Sequence, residues 1–320
     1  MSENFLKKIV GVSLLALSAF APAGSALAGA PQRFVVFGDS LSDPGNAFVL
    51  LRDVEVPPFD DLIPSAPYAR GGLHFSNGAT WVEQLSLLDH AIPSAGPALL
   101  HPVLFSNYAV GGTRARTPTP PEQFFDLSTQ VGLFLRDFGG QAPADALYIV
   151  FVGGNDLRDV LTAPAQGPSI IGGALSAIQN NLLTLHAAGA HNFLVANAPN
   201  LGLVPAVRLL GAQDAATSLA SQFNEGLKSI LEGLEFALGL NIVPLDVFTI
   251  LSQVVATPSA FGLTDVTQPC IAVDTKVHPF CSNPSTFLFW DGIHPTVAGH
   301  RILAERARAA LDAPPVATAP

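Results

Sequence analysis

Basic side chains are scarce. The chain carries 15 Lys and Arg against 25 Asp and Glu, a formal net charge of −10, and no run of lysines or arginines. Nucleic acid, whose phosphates demand a basic footprint, is therefore not an expected partner, and nothing basic would draw the protein onto an anionic membrane. Cysteine is scarcer still: Cys270 and Cys281 are the only two. With only His278 nearby they fall short of the roughly four ligands that zinc takes. Other absences narrow the chemistry. No G-x-G-x-x-G and no G-K-[ST] loop occurs, which argues against nucleotide binding. No aspartates stand in D-x-D spacing for a metal-dependent phosphoesterase, and no G-x-S-x-G elbow marks an α/β-hydrolase. Neither a metal nor another cofactor is expected.

What is present is apolar. Hydrophobic residues make up 49% of the 320 and charged ones 12%, a composition that builds a full-sized core rather than a disordered chain. At the N-terminus Lys7 and Lys8 precede the apolar run Ile9 to Ala21 and the small-residue stretch PAGSALAGA, in which Ala26-Leu27-Ala28 fits an A-x-A cleavage site. The run is short of the ~20 residues that span a bilayer. Residues 1–28 therefore read as a signal peptide, 29–312 as one domain with no transmembrane segment, and 313–320 as a flexible tail. The expected compartment is periplasmic or extracellular. Cys270 and Cys281 bracket IAVDTKVHPF, a loop short enough to be closed by a disulfide in such a compartment. Closing a loop of that size stabilises by about 3 kcal/mol. Two buried free thiols are the other reading.

Short β-rich runs alternate with longer helical ones. Arg33 to Phe37, Val103 to Tyr108, Ala146 to Val152 and His191 to Ala196 read as buried strands, with Asn241 to Leu245 a weaker fifth. Amphipathic spacing predicts helices over Leu127 to Phe138, Ile170 to Ala188, Ala215 to Ala237 and Val297 to Leu311. This alternation is that of βαβ units, with a parallel sheet covered on both faces. Residues 52–73 break it: Pro57, Pro58, Pro64 and Pro67 make them a long irregular insertion, either a rim of the site or a bland excursion.

Ligands of open parallel sheets gather at the carboxyl ends of the strands. The segments there are GDSLSDPGN (38–46), NYAVGGT (107–113), VGGNDL (152–157) and NAPNLG (197–202), with FWDGIHPT (289–296) before the last helix. Acyl transfer needs a nucleophile, a base, an orienting acid and donors to the oxyanion. Ser40 follows a strand directly. Asp291 and His294, three residues apart, can face one cleft, where the carboxylate fixes the imidazole tautomer that accepts a serine proton. Gly112 offers an unobstructed backbone N–H and Asn155 a side-chain amide, which with the Ser40 N–H would form an oxyanion hole. Each element alone has a plainer reading. Ser40 and Gly112 are ordinary turn residues, Asn155 an ordinary helix cap, and His294 a structural histidine.

The blocks in their order are recognisable. FGDSLSDPGN, NYAVGGT, VGGNDL and FWDGIHPT resemble the four blocks of the GDSL lipases and esterases of the SGNH-hydrolase superfamily. GLHFSNGATWVEQL (72–85) is similar to the family's G-R-F-S-N-G segment, with His74 in place of the usual arginine, a departure that puts anchoring of the insertion in question. VANAPNLGLVP (195–205) and the F-N-x-x-L at Phe223, Asn224 and Leu227 match minor signatures. The resemblance implies a three-layer α/β/α sandwich, flavodoxin-like, around a parallel sheet of about five strands. It implies Ser40 as nucleophile, His294 as base, Asp291 as its orienting acid, and Ser40, Gly112 and Asn155 as oxyanion donors. Asp39 and Asp43 then become supports of the turn and of the helix start.

The expected substrate is a small-molecule or lipid ester, with a fatty-acyl or phospholipid ester favoured by likeness to the secreted lipase and phospholipase members. A carbohydrate O-acetylesterase and a non-catalytic ligand-binding protein on the same fold are the alternatives. Phe124, Phe125, Phe134, Phe138, Phe280, Phe287, Phe289 and Trp290 lie near the second and last blocks, as acyl-pocket lining or as ordinary core.

Overall fold

The computed structural model describes residues 31, 33–51, 73–117, 126–271 and 281–313. The expected leader, the body of the proline-rich insertion, the tail from 314, and Phe124, Phe125 and Phe280 lie outside these residues. The chain begins with β1 (Phe34–Gly38), α1 (Asn46–Leu51), α2 (Trp81–Leu88) and α3 (Leu127–Asp137). It continues through β2 (Leu147–Phe151), α4 (Gly154–Thr162), α5 (Gly167–Ala187) and β3 (Asn192–Ala196). Then come α6 (Pro205–Leu209), α7 (Gln213–Leu238), β4 (Asn241–Leu245) and α8 (Val247–Ala256), and after them β5 (Asp265–Pro269), β6 (Phe287–Phe289) and α9 (Val297–Asp312).

Strands β1 to β4 form one parallel sheet in that order. Strands of such a sheet are buried on both faces, which is why they read as unbroken apolar runs. Their side chains alternate between two cores. Val35, Phe37, Tyr148, Val150, Phe193 and Val195 meet the apolar stripes of α3, α5 and α7. Phe34, Val36, Leu147, Ile149, Phe151 and Leu194 meet Trp81, Val82 and Leu85 of α2 and Leu303, Ala304 and Ala307 of α9. Fully burying one such Phe or Leu is worth about 1.5–3 kcal/mol, so the two layers fix the sheet between them. A third core forms beyond the carboxyl edge of the sheet, where Val204, Val254, Leu288, Phe289, Ala298 and Ile302 pack together.

The expected strand at Val103 to Tyr108 is corrected. Val103 has φ 73°, and the exposed Val103 and Leu104 sit in a turn closed by the Phe105 N–H donating to His101 O. Only the segment after this turn runs beside β1: Val36 N–H donates to Ser106 O, Tyr108 N–H to Val36 O and Val110 N–H to Gly38 O. Among the described residues the main sheet therefore has four strands, with residues 106–110 holding the place beside β1 that a fifth would take. Gln130 of α3 closes the end of β1, its amide accepting from Gly38 N–H at 2.8 Å and donating to Gly38 O at 2.8 Å.

Beyond the main sheet, β5 and β6 pair in parallel, and Cys270 N–H and Ile271 N–H donate to Phe289 O and Trp290 O. A disulfide joins Cys270 to Cys281, whose Cα atoms are 4.8 Å apart. Cys270, Ile271 and Trp290 form one small cluster, so the cross-link braces the strand that leads into Asp291.

Candidate active site

The turn after β1 is made by its aspartates. Asp39 Oδ1 accepts the Leu41 N–H at 3.0 Å, and Ser42 N–H returns to Asp39 O at 3.0 Å. This tight reversal leaves Ser40 half-buried and turns Ser42 fully inward. Asp43 gathers four amides, from Gly45 (2.8 Å), Asn46 (2.6 Å), Ala47 (3.1 Å) and, across the sequence, Gly111 (2.7 Å). It thus starts α1 and ties it to the second loop. Asn46 extends the tie, its Nδ2 donating to Asn107 O and Ala109 O, both at 2.8 Å.

The histidine arrives from the loop before α9. His294 Nε2 lies 2.8 Å from Ser40 Oγ, and His294 Nδ1 lies 2.7 Å from Asp291 Oδ2. The other oxygen of Asp291 accepts the backbone N–H groups of Ile293 (2.7 Å) and His294 (2.6 Å), which fixes the fully buried carboxylate. A carboxylate only accepts, so Nδ1 carries the ring proton and Nε2 presents its lone pair to the Ser40 hydroxyl. That arrangement can remove a proton from Ser40 as it attacks a carbonyl.

Residues 74–77 hold this loop in place. The Phe75 ring lies 5.3 Å from the His294 ring, Ser76 Oγ donates to Pro295 O at 2.8 Å, and Asn77 Oδ1 accepts Val297 N–H at 2.7 Å. Gly111 admits Phe75, because a Cβ there would stand 2.3 Å from the ring. His74 is anchored despite replacing the usual arginine: its Nε2 is 3.0 Å from Glu83 Oε1, and Glu83 also caps α2 through Thr80. The contacts of Phe75, Ser76 and Asn77 with the loop before α9 join residues about 220 apart and give no sign in the sequence beyond the block itself.

The oxyanion candidates lie on the facing loops. Gly112 has φ 82°, a left-handed conformation natural to glycine. Asn155 sits in the first turn of α4, and its Nδ2 donates one proton to Thr113 O at 2.9 Å, so the side chain is held with a second proton to spare. Gly153 makes that helix start possible, with φ 121° and no room for a Cβ beside Phe223. Among the described residues, the backbone N–H groups of Ser40 and Gly112 have no acceptor. Asp156 pins the loop from behind, accepting Ala115 N–H at 2.7 Å. Burial pushes the carboxyls of Asp39 and Asp43 up to about 6 and that of Asp156 up to about 7, against the amides that pull them down. No described group of histidine, cysteine and acidic residues could hold a metal ion.

A cavity of about 440 Å³ touches both Ser40 and Asn155. Its wall is aliphatic, with Leu201 and Val207 on one side, Ile250 and Val254 of α8 on another, and Leu288 and Phe289 of β6. The aromatics near the second and last blocks had two readings, pocket lining or ordinary core. Of these Phe289 does line the cavity, whereas Phe134 and Phe138 belong to the core on α3.

Known proteins place the chain in a family. Residues 34–307 match the GDSL-like Lipase/Acylhydrolase family. An uncharacterized protein of Pseudomonas putida from the trpE-trpG intergenic region is 30% identical over 313 residues, a match covering 88% of this chain and 48% of that protein. The chain thus spans about half of that relative. A GDSL esterase/lipase of Arabidopsis thaliana is 23% identical, with 87% of each chain covered. A phosphatidylcholine-sterol acyltransferase of Aeromonas hydrophila is 26% identical, covering 88% of this chain and 90% of the relative. Among solved structures, an acetylxylan esterase from Geobacillus stearothermophilus shares the fold at a TM-score of 0.50 and 17% identity, over 90% of this chain and 97% of that one. The chain belongs to the GDSL-like lipase/acylhydrolase family and is a carboxylic ester hydrolase.

Proposed function

We propose that this protein is an exported serine esterase that cleaves fatty-acyl esters of the glycerolipid kind through an acyl-enzyme on Ser40. The observation that carries the proposal is the continuity from Asp291 through His294 to Ser40, opening on an aliphatic cavity large enough for an acyl chain. His294 Nε2 takes the hydroxyl proton as Ser40 Oγ bonds to the carbonyl carbon. The oxyanion meets the N–H groups of Ser40 and Gly112 and the Asn155 amide. Collapse breaks the bond to the alcohol oxygen, which leaves with the proton from His294. Water then repeats the sequence in reverse and frees the fatty acid and Ser40. Export is the compartment in which the Cys270–Cys281 bond is favoured.

The cavity sets the chain-length test. At about 30 Å³ for a water-sized group in a liquid, 440 Å³ holds roughly fifteen methylenes. Each buried methylene is worth about 0.8 kcal/mol, or about fourfold in kcat/KM. A series of p-nitrophenyl esters from acetate to stearate is expected to rise steeply and level off at about fourteen to sixteen carbons. A fall beyond acetate would identify an O-acetylesterase instead. Asn155→Ala is expected to lower kcat by about 10²–10³ with little change in KM, the signature of a lost oxyanion donor. An unchanged kcat would remove Asn155 from the site.

A further inference from the structure

The wall of the cavity holds one cation that no group among the described residues partners. Arg158 lies half-buried on α4, lines the cavity that touches Ser40, and has no ion pair, hydrogen bond or ring contact among the described residues. Every other lysine and arginine among the described residues has an acidic, carbonyl or ring partner. The basic side chain sharing that wall, His300, is fully buried, and burial pushes it down to about 3, so it is neutral. Holding a guanidinium at an aliphatic wall is unfavourable unless an anion meets it.

Its place along α4 indicates where that anion sits. Asn155 and Arg158 are three residues apart on one helix, a rise of about 4.5 Å, so they lie on the same side one turn apart. In a glycerophospholipid two or three glycerol carbons separate the acyl ester from the phosphate. One helical turn plus the reach of an arginine matches that separation, with the ester at Asn155 and the phosphate at the guanidinium. The fork of N–H donors on arginine suits phosphate oxygens. The surrounding protein is acidic, at −10 overall, and would not steer an anionic ester toward the site. Recognition of the anion then falls to this local contact.

We propose that Arg158 is a specificity-determining residue that binds the phosphate of the substrate, so that the preferred esters are glycerophospholipids and lysophospholipids rather than neutral glycerides. This inference rests on the fatty-acyl esterase reading above. The test compares 1-lauroyl-lysophosphatidylglycerol with 1-monolauroylglycerol, both below their critical micelle concentrations, with active enzyme counted by fluorophosphonate titration. The wild type is expected to favour the phosphorylated ester in kcat/KM. Arg158→Gln is expected to lower the ratio of the two values by roughly 10- to 100-fold, mainly through KM, the range for a charge-assisted hydrogen bond. Arg158→Lys is expected to restore part of it. A wild type with no preference, or a ratio that moves less than twofold in Arg158→Gln, would overturn the role of Arg158. 3-(Lauroyloxy)propanoate, with the carboxylate on the alcohol side of a lauroyl ester, supplies the other arm: equal preference for this carboxylate-bearing ester would overturn the assignment to phosphate. If neither lauroyl ester is cleaved while p-nitrophenyl acetate is, the fatty-acyl reading itself fails, and the inference with it.

Discussion

Ser40→Ala is expected to lower kcat by about 10⁶ on any carboxylic ester, whereas Ser42→Ala keeps kcat within a few-fold and loses stability instead. The two serines stand two residues apart in one turn, yet their surroundings differ. Ser40 Oγ faces His294 Nε2 at 2.8 Å beside the cavity. Without it no acyl-enzyme forms, and only water attack assisted by the oxyanion donors remains. Ser42 points the other way. It is fully buried, its hydroxyl accepts the Trp81 indole N–H at 3.0 Å, and its carbonyl accepts from Asn107 Nδ2 at 2.8 Å. Removing that hydroxyl strands a buried donor at a cost of about 1–3 kcal/mol, seen as a lower Tm. Steady-state kinetics, a thermal melt and fluorophosphonate labelling of each variant separate the outcomes. Equal loss of turnover in both variants, or labelling that survives Ser40→Ala, would mean that another nucleophile acts.

The reason one serine could be preferred in the sequence is that the local blocks carry local geometry. Strand, turn and acid spacing around Ser40, and the three-residue step from Asp291 to His294, are short-range features that the chain writes out directly. Strands β1 to β3 were legible for a similar reason, since burial on both faces leaves unbroken apolar runs, whereas the edge strand β4, with only Ile242 and Leu245 buried, gave the weaker signal. The stretch VLFSNY at 103–108 has the same composition but not the same fate. Val103 takes a left-handed conformation, and the pairing with β1 begins only at Ser106. The cavity beside Ser40 was illegible because its wall is assembled from α4, α6, α8, β6 and the loops before α6, none of which has a periodicity that distinguishes pocket from core. The aromatics of α3 fall on the core side of the two readings left open, since Phe134 packs against Phe37 and Tyr108 in the main core. Arg158 was invisible for the opposite reason: an isolated arginine reads as solvated surface until the partners of all the others are known.

Asp291→Asn is expected to lower kcat by about 10⁴ while leaving the fold and KM nearly unchanged. The argument turns on the two backbone donors. Asp291 Oδ1 accepts the N–H groups of Ile293 and His294 at 2.7 and 2.6 Å, and only an oxygen can occupy that position. An asparagine must therefore place its carbonyl there and turn its amide N–H₂ toward His294 Nδ1, 2.7 Å away in the native arrangement. That nitrogen then has to accept, so the ring proton moves to Nε2 and faces Ser40 as a donor. The imidazole remains in place, as its ring contact with Phe75 and the bond from Trp290 N–H to His294 O are untouched. It holds the wrong tautomer to take the serine proton. Asp291→Ala makes the contrast, because it also strands the two amides and is expected to lower Tm as well as kcat. Nitrogen-edge NMR of labelled histidine reports the tautomer directly. Should Asp291→Asn retain Nδ1–H and near-native turnover, the carboxylate would be a brace for the loop before α9 and not the group that orients the base.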